Sequence, residues 1–564
     1  MRLARLRGRL PVAALFAAVV AYVYRPWEMT SRLPRNTGDT SFVTFTMAWV
    51  SHSVTHPRRL FDAPIFFPHH NTLAYSDPLI PLGPVWGVVH WVSGNWTVAT
   101  GVVVMAMVIV NVGATYALAK RLTGRADAAA LAAIAFALSD FALAQWGHIQ
   151  MQALGYLPLG FLLLFRLLER GRWTDGLLLG LVQGAMALTT ASIALAWAVA
   201  AVAAITTHLI VRRFRIDRAV WKAMALTAVV SAVLVVPATR PYTDLQRDPN
   251  FKRPLQPLAS FRWPDLLSPT RDRNDALHLL QAAPVRHHGA EHEAFPGRTA
   301  LALAAVGLVG LAVMRRGPDP RRHELLLVTV AGAVCLVTAM GPDVLGPFSP
   351  YRLLHNDVPG FAGLRVATRF TTVSILAVAV LAASGLASLA ARFRRRQLGR
   401  TVGWAAVALL LVELAMPVRW RHLDTDRATL AVYRELAKRP AGPVAELPMA
   451  SFLDASSWSD IEAPRQVYLT LDWHPRVNGY SGFVTPDYPE TQAFLNRFPA
   501  PCAIYQARKI GVRWIVVHTG VIDRIQQYDP HETSKVMAGL PKDAVTRAGK
   551  SYLIDVTKLP SPVC

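Results

Sequence analysis

Long apolar runs alternate with short polar connections along the first three quarters of the chain. A helix needs about 20 mostly apolar residues to cross the hydrocarbon core of a bilayer. The first run, Leu10–Tyr24, follows a basic start and lacks a clear signal-peptidase site, so we predict a retained first helix. Ten further runs cover residues 97–119, 127–144, 153–168, 175–191, 193–211, 223–239, 298–314, 325–341, 369–391 and 402–416. The pattern predicts an α-helical polytopic membrane protein with about eleven transmembrane helices.

Basic residues predict the orientation, because short cytoplasmic loops are enriched in Lys and Arg. With the N-terminus inside, the inner connections carry the positive charge, at 120–125, 170–172, 212–222, 315–322 and 392–400. The outer connections 145–152 and 189–192 contain neither Lys nor Arg. The apolar segment 79–92 is interrupted by prolines, and we predict that it is re-entrant or lies along the outer surface. The expected location is the inner (plasma) membrane, with a cytoplasmic N-terminus.

The composition supports this class of protein. Of 564 residues, 53% are apolar and 17% are charged, and the mean hydropathy is +0.30, which excludes both an ordinary soluble enzyme and a disordered chain. The net charge of +23, from 59 basic and 36 acidic residues, is explained by the inner connections, so no nucleic-acid partner is expected. The excess of Arg over Lys and the many Ala and Val residues are typical of a high-GC bacterial genome.

The last part of the chain, 417–564, is much less apolar and predicts a soluble α/β domain on the extracytoplasmic side. Its pattern indicates helices near 428–438 and 490–497 and strands near 444–447, 512–518 and 552–556. Residues 1–416 form the predicted transmembrane domain, with long outer loops at 25–96, 240–297 and 342–368. Cys502 and Cys564 share the outer domain, where either a disulfide or two separate thiols are consistent with the sequence.

The first outer loop carries the main candidate for catalysis. Asp39 stands between Gly38 and Thr40, just before an amphipathic stretch at 41–52. A carboxylate at the membrane surface is placed to act as a general base or metal ligand on a lipid-linked substrate. The alternative is that Asp39 caps the helix that follows it, as Asp commonly does.

Several other residues near the predicted outer face are candidates for binding an anionic group. Arg365 and Arg369 precede the tenth span at i, i+4 spacing, so a helix would present both to one phosphate, although interfacial snorkelling explains each Arg separately. Arg262 is a weaker phosphate candidate, and His148 is either an auxiliary group or an interfacial histidine. Asp140, near the end of the third span, is expected to face the bundle interior or water.

Two histidine-containing groups suggest a metal site, but neither has the spacing of a known zinc site. The first consists of His69 and His70 with Asp77. The second lies in the loop 240–297 and contains His287, His288, Glu291 and His292. Solvated loop histidines are the simpler interpretation of both groups.

Four short stretches resemble those of the GT-C superfamily of membrane glycosyltransferases, and they lie at 61–77, 147–152, 359–370 and 478–482. The layout is also similar: a first helix, a long outer loop with an early Asp, a bundle of many spans and an outer C-terminal domain. Members with this layout include protein O-mannosyltransferases, aminoarabinose and arabinose transferases, oligosaccharyltransferases and bacterial YfhO-like proteins.

This resemblance implies inverting transfer of a hexosyl or pentosyl group from a polyprenyl-phosphate sugar to a glycan, lipid or protein acceptor on the outer face. Asp39 is the position that matches the family's acidic residue. Many members have a paired acidic motif there, whereas Asp39 has Gly38 and Thr40 as neighbours, so dependence on a divalent cation such as Mg²⁺ or Mn²⁺ is left open. Tyr480 and Asn478 are candidates for the acceptor side, because Gly479 and Gly482 would let the backbone approach a ligand, and a plain turn is the simpler interpretation.

Two other functions fit the sequence. A transporter or flippase of lipid-linked glycans also has ten to twelve spans, but carriers tend to have internal repeats and ionisable residues near the bilayer midplane. This chain places its unusual residues in outer loops instead. A non-catalytic GT-C relative would bind lipid-linked glycan without a working base.

Overall fold

The computed structural model describes residues 10–35, 38–213, 215–269, 290–313, 319–358, 360–519, 530–561 and 564 and is mostly α-helical. Its contacts divide the chain into two compact units. The helical unit comprises Met1–Trp27 and Val102–Arg419, and the mixed unit comprises Glu28–Gly101 and Trp420–Cys564.

A helix lies at each of the predicted spans. Their bounds are Leu10–Tyr24, Trp96–Thr123, Ala126–Ala137, Tyr156–Arg170, Trp173–Thr189, Ala191–Val211, Arg218–Leu245, Arg298–Val313, Pro320–Ala339, Thr371–Ala391 and Arg396–Leu414. In the described part of the chain, seven helices are long and apolar enough to cross a membrane, or eight if the bent pair Ala126–Ala137 and Asp140–Gly147 is one span. This is a multi-pass membrane protein, and eleven as the exact count stays a prediction.

Small residues let the central helices of this unit approach each other closely. A methyl group added at Gly307 would collide with the backbone oxygen of Leu381, and one at Gly385 with that of Leu303. Helices Arg298–Val313 and Thr371–Ala391 are therefore in backbone contact, as is common where van der Waals packing drives helix association.

Ion pairs join several of the connections predicted on the cytoplasmic side. Arg121 pairs with Glu324 at 2.5 Å and with Glu169 at 2.9 Å. Arg125 pairs with the adjacent Asp127 and donates a hydrogen bond to the backbone oxygen of Gly399 at 3.0 Å. These basic residues, which suggested the orientation, therefore lie together at one end of the helical unit.

The mixed unit contains two sheets. Strands β1 (Arg32–Pro34) and β2 (Trp420–His422) form an antiparallel pair in which Arg32 lies opposite His422. The second sheet has the order β3-β4-β6-β5, with only β3 and β4 parallel. Its strands are β3 (Val444–Leu447), β4 (Trp514–His518), β5 (Val545–Ala548) and β6 (Ser551–Asp555). Strands β3, β4 and β6 lie where the alternation of residues predicts them.

The helices of the mixed unit are Asp39–His52, Gly83–Ser93, Arg427–Leu436, Ala455–Leu469, Tyr488–Leu495, Pro501–Ile510 and Pro530–Ala538. Arg427–Leu436 is amphipathic and buries Leu430, Tyr433 and Leu436 at i, i+3, i+6 spacing. Gly83–Ser93, in the apolar segment of the first loop, has 11 residues and is too short to cross a bilayer.

A buried ionic network lies beneath the second sheet. Glu446 on β3 accepts hydrogen bonds from Arg476 at 2.5 Å and from Tyr433 at 2.8 Å, and it contacts His518 at 2.9 Å. Burial opposes ionisation of Glu446, but Arg476 and His518 outweigh it and hold the pKa of this carboxyl below its ordinary value. The other side of the Arg476 guanidinium donates two hydrogen bonds to Asp472.

Cys502 and Cys564 form a disulfide, with their Cα atoms 5.0 Å apart. Because such bonds form in oxidising compartments, we expect a membrane-impermeant maleimide to label these thiols in intact cells only after reduction. The Cys335→Ser variant, which removes the buried third thiol, is the background for this measurement. Labelling before reduction would contradict the disulfide, and labelling that requires permeabilised cells would contradict an extracytoplasmic C-terminal region.

Candidate functional site

Asp39 is held at the start of helix Asp39–His52 by a tyrosine that lies far away in the sequence. The N-cap position is occupied by Gly38, and no side-chain cap hydrogen bond is made there. Instead, the hydroxyl of Tyr480 donates to Oδ1 of Asp39 at 2.5 Å. The structure therefore places Gly38 at the N-cap position and Asp39 at the first position of the helix. Its carboxylate remains partly exposed.

The surroundings of Tyr480 fix its position. Its ring packs edge-to-face against Trp458 at 4.8 Å and Phe42 at 5.7 Å between centroids. Gln466 donates a hydrogen bond to its backbone oxygen at 3.0 Å, and Trp458 donates to that of Gly479 at 2.8 Å. A hydroxyl fixed in this way holds the Asp39 carboxylate in one orientation, which is the preorganisation that a catalytic base requires.

Asn478 and the adjacent Gly479 pack inside the mixed unit. The Asn478 amide bonds to the backbone nitrogen and oxygen of Glu446 at 2.7 and 2.8 Å, and the residue is 3% exposed. A methyl group at Gly479 would meet the ring of Phe66 at 2.6 Å. The missing side chain of Gly479 thus makes room for protein rather than for a ligand. Of the two acceptor-side candidates, Tyr480 is the one that is partly exposed.

The histidines of the first outer loop contact different carboxylates. Nε2 of His69 lies 2.8 Å from Oδ1 of Asp487, and this contact is the main cause of a lowered pKa of Asp487. Nδ1 of the exposed His70 lies 3.5 Å from Asp62, and Asp77 is partly exposed in the segment that follows.

Within the described ranges, no group of three or more His, Cys, Asp and Glu side chains is arranged to hold a metal ion. His287 and His288 lie outside the described residues. Of the second histidine group, His292 lies 3.2 Å from Asp265, whereas Glu291 pairs with Arg369. The described members of the second group thus contact different partners rather than one another.

A second group of candidate side chains lies in the helical unit, and we call it the arginine–glutamate cluster (Gln145, His148, Ser192, Glu291 and Arg369). Arg369 bonds to Glu291 at 2.9 Å and to Ser192 at 3.2 Å. Gln145 donates to the other oxygen of Glu291 at 3.1 Å, and its own oxygen lies 2.6 Å from Nδ1 of His148. Three predicted outer connections and the start of the tenth predicted span therefore meet at this cluster.

Positive charge dominates around the arginine–glutamate cluster. Burial alone would raise the pKa of Glu291. The charges of Arg369, His148 and Arg365 lower this pKa by more than burial raises it, so the carboxyl is ionised at neutral pH. Burial and the charge of Arg365 lower the pKa of Arg253 to about 10, which still leaves it protonated. Arg369 and Arg365 thus both act on this one carboxylate, and the positive charge around it favours binding of an anionic group such as a phosphate.

The expectation that Arg365 and Arg369 share one helix face is wrong. Arg369 belongs to a 3-10 turn, Ala367–Phe370, whereas Arg365 is exposed and precedes that turn in extended backbone. The backbone oxygen of Arg365 accepts a hydrogen bond from Leu258 at 2.7 Å, which keeps this segment out of the helix. Arg365 acts on the cluster through its charge rather than through the predicted i, i+4 geometry.

The remaining two candidates lie in different environments. Arg262 is exposed at the N-cap of helix Trp263–Leu267, and its backbone nitrogen donates to Asp265 at 2.8 Å. Asp140 is 2% exposed inside the helical unit, where it begins helix Asp140–Ala144 and its backbone nitrogen donates to Phe295 at 2.9 Å.

Gln145, Ser192, Arg253 and Glu291 were not among the phosphate-binding candidates predicted from the sequence. All four lie in connections predicted on the outer face, next to the ends of apolar helices. Polar residues next to the ends of apolar helices are the only sequence signal for such a site. This signal does not reveal which side chains are in contact, since Glu291 and Arg369 are 78 residues apart.

This membrane protein has a GT-C-like fold, as the solved structures that it resembles show. The solved structures it resembles include the arabinofuranosyltransferase AftD from Mycobacteria, at 16% identity and a TM-score of 0.51 over 97% of this chain and 40% of that chain. The chain belongs to the family described as Domain of unknown function (DUF6311), whose model matches residues 12–416.

Two further solved structures are similar at 13% identity. The Archaeoglobus fulgidus oligosaccharyltransferase in the apo form has a TM-score of 0.50 over 90% of this chain and 69% of that chain. ArnT from Cupriavidus metallidurans in the apo state has a TM-score of 0.45 over 98% of both chains. No curated protein sequence matches this chain. At this level of identity, the similarities to AftD and to the oligosaccharyltransferase show the fold alone.

Proposed function

We propose that this protein is a membrane glycosyltransferase that transfers a sugar from a polyprenyl-phosphate donor to an acceptor on the outer face of the inner membrane. The observation that carries the proposal is the Asp39 carboxylate, oriented by Tyr480 at the start of the first outer helix. The similar folds of an arabinofuranosyltransferase and an oligosaccharyltransferase support it.

In the proposed reaction, Asp39 takes the proton from an acceptor hydroxyl. The acceptor oxygen then attacks the anomeric carbon of the donor, and the bond between that carbon and the phosphate oxygen breaks. The bonding electrons leave with the polyprenyl phosphate. A single displacement of this kind inverts the anomeric centre, and it applies equally to a hexosyl and a pentosyl group.

We assign binding of the donor phosphate to Arg369 and Arg365, with His148 as an auxiliary group. Guanidinium groups suit this task because they stay charged and donate hydrogen bonds in a fork that matches phosphate. Glu291 orients Arg369 in the absence of donor, and Gln145 links Glu291 to His148. As the leaving phosphate gains charge, fixed cations stabilise it without reorganisation.

The test is turnover by the full chain in lipid nanodiscs, supplied with radiolabelled polyprenyl-phosphate hexoses and pentoses and extracted cell-envelope acceptors. Release of polyprenyl phosphate together with labelled acceptor supports the proposal. Tight donor binding without turnover indicates the non-catalytic relative, and translocation without cleavage indicates the flippase. Parallel reactions with EDTA, with Mg²⁺ and with Mn²⁺ decide whether a divalent cation takes part.

The Arg369→Ala variant is expected to weaken donor binding about 10- to 100-fold, because a hydrogen bond to a charged group contributes about 1.5–3 kcal/mol. Donor titration followed by filter binding measures the effect. Arg240→Ala, which removes an arginine that is 86% exposed at its side chain, is the matched control and should bind normally.

A second variant separates phosphate binding from local structure. Arg369→Ala leaves the buried Glu291 without its guanidinium, which alone would disturb the cluster. The double variant Arg369→Ala/Glu291→Gln removes that stranded charge. If the double variant regained normal donor binding, the role of Arg369 would be structural and its assignment to the phosphate would fail.

A further inference from the structure

A cavity of about 620 Å³ lies within the mixed unit, and the proposed transfer does not use it. Its walls come from helices Asp39–His52 and Gly83–Ser93, from the start of helix Trp96–Thr123 and from the segments around Arg434 and Trp473. Asp39 and Tyr480 are not among its lining residues. The volume falls within the range of about 300–1,000 Å³ that is common for small-molecule sites.

Flat aromatic rings form much of the wall, and they are His52, Trp86, His90, Trp91, Trp96 and Trp473. The rings of His52 and Trp473 stack with centroids 4.0 Å apart and planes at 22°, and those of Trp86 and His90 with centroids 4.7 Å apart and planes at 9°. Trp91 is 85% exposed. The pocket therefore offers rigid apolar faces, which bind planar or C–H-rich surfaces.

Trp473 also has an unusual backbone. Its φ of 55° lies in the left-handed region, which a bulky residue rarely adopts and which carries a conformational cost. Its backbone nitrogen bonds to Leu469 at 2.8 Å, and the neighbouring Asp472 is tied to Arg476. The fold thus holds this indole against His52 at the wall of the pocket. Strained positions of this kind cluster at ligand-binding sites.

The polar groups of the pocket are mostly neutral. Burial lowers the pKa of both His52 and His90 below the ordinary value of 6.5, so both imidazoles are uncharged at neutral pH. Arg434 is the one charged residue among those that line the described cavity. Hydroxyls of Ser51 and Thr470 also line it, and Thr470, which donates to Val467, keeps lone pairs that can accept a hydrogen bond.

We infer that this pocket binds an uncharged saccharide. A sugar ring has C–H faces that match the indoles, and its hydroxyls can donate to and accept from neutral imidazoles and hydroxyls. A phosphate would need the several cations that the arginine–glutamate cluster has and this pocket lacks, and a purely apolar ligand would leave its polar groups unpaired. This inference does not depend on the proposed sugar transfer. If the protein is a glycosyltransferase, the bound saccharide is its acceptor, and that identification rests on the proposed function.

The experiment is a titration of the full chain in lipid nanodiscs with neutral trisaccharides of the gluco, manno, galacto and arabino series, followed by tryptophan fluorescence and calorimetry. At least one series should bind. Trp473→Ala is expected to weaken that binding about tenfold, since a lost stacking contact of this type changes affinity by roughly that factor. Trp473→Phe, which retains an aromatic face, should keep most of the affinity.

The matched control is Trp173→Ala, which removes an indole that is 67% exposed in the helical unit and should leave binding unchanged. Unchanged donor binding by Trp473→Ala shows that the chain is still folded. The inference is overturned if no trisaccharide binds at 10 mM or if Trp473→Ala binds like the wild type. A chain that binds trisaccharides but transfers no sugar would keep the pocket and refute the proposed transferase.

Discussion

The Asp39→Asn variant is expected to lower sugar transfer by a factor of about 10²–10⁴ while donor binding stays unchanged, because an amide cannot accept the acceptor proton. Asparagine is nearly isosteric, and its side-chain oxygen can still accept the hydrogen bond that Tyr480 donates. The helix start and the position of Tyr480 should therefore persist. Initial rates with radiolabelled donor, measured beside donor affinity, give the two readouts.

Two variants define the specificity of that result. Glu490→Gln removes an exposed carboxylate of the same unit and should transfer at the wild-type rate. Tyr480→Phe keeps the Asp39 carboxylate but removes the hydroxyl that orients it, so a loss of about tenfold is expected, well below that of Asp39→Asn. Wild-type turnover by Asp39→Asn would show that another group, or none, acts as the base.

The Arg476→Ala variant should have the largest effect on stability, lowering the free energy of unfolding of the mixed unit by about 3–5 kcal/mol. The guanidinium neutralises Glu446 and Asp472, which are both buried. Removing it leaves two carboxylates in the interior without their main partner. Hydrogen exchange of strand β3, followed by mass spectrometry of the full chain in nanodiscs, reports the cost of local opening.

The comparison is with an ion pair on the surface of the same unit. Lys550 lies 3.8 Å from Asp426, and both side chains are more than half exposed. Lys550→Ala should change the opening free energy by about 0.5 kcal/mol or less. The double variant Arg476→Met/Glu446→Leu should lose less than Arg476→Ala, because it removes a charge together with its partner. Equal losses would mean that the volume of Arg476, rather than its charge, supports the fold.

The sequence predicted those features that local patterns encode. Helix Arg427–Leu436 follows from apolar residues at helical spacing, and the stretch 41–52 lies in helix Asp39–His52. The membrane helices follow from long apolar runs and from the alternation of basic connections. In each case the residues that carry the signal are close together in the chain.

Features that depend on distant residues could not be predicted. Helix Ala455–Leu469 lacks an apolar stripe because it buries Glu462 and Arg465, which join the ionic network, and it also contains Pro464. The extended backbone at Arg365 arises from pairing with Leu258, about a hundred residues earlier. Tyr480 was expected to face an acceptor, and nothing near it in the sequence indicates that its hydroxyl binds Asp39, 441 residues away.

The pairing of β1 with β2 requires an even number of membrane crossings in the chain between the two strands. Arg32 and His422 are partners in one small sheet, so both must be on the same side of the membrane. The chain between them must then cross the bilayer an even number of times. The seven helices that qualify by length and composition within the described residues would give an odd number, whereas joining the bent pair into one span gives eight. The ten spans predicted after the first also satisfy the condition.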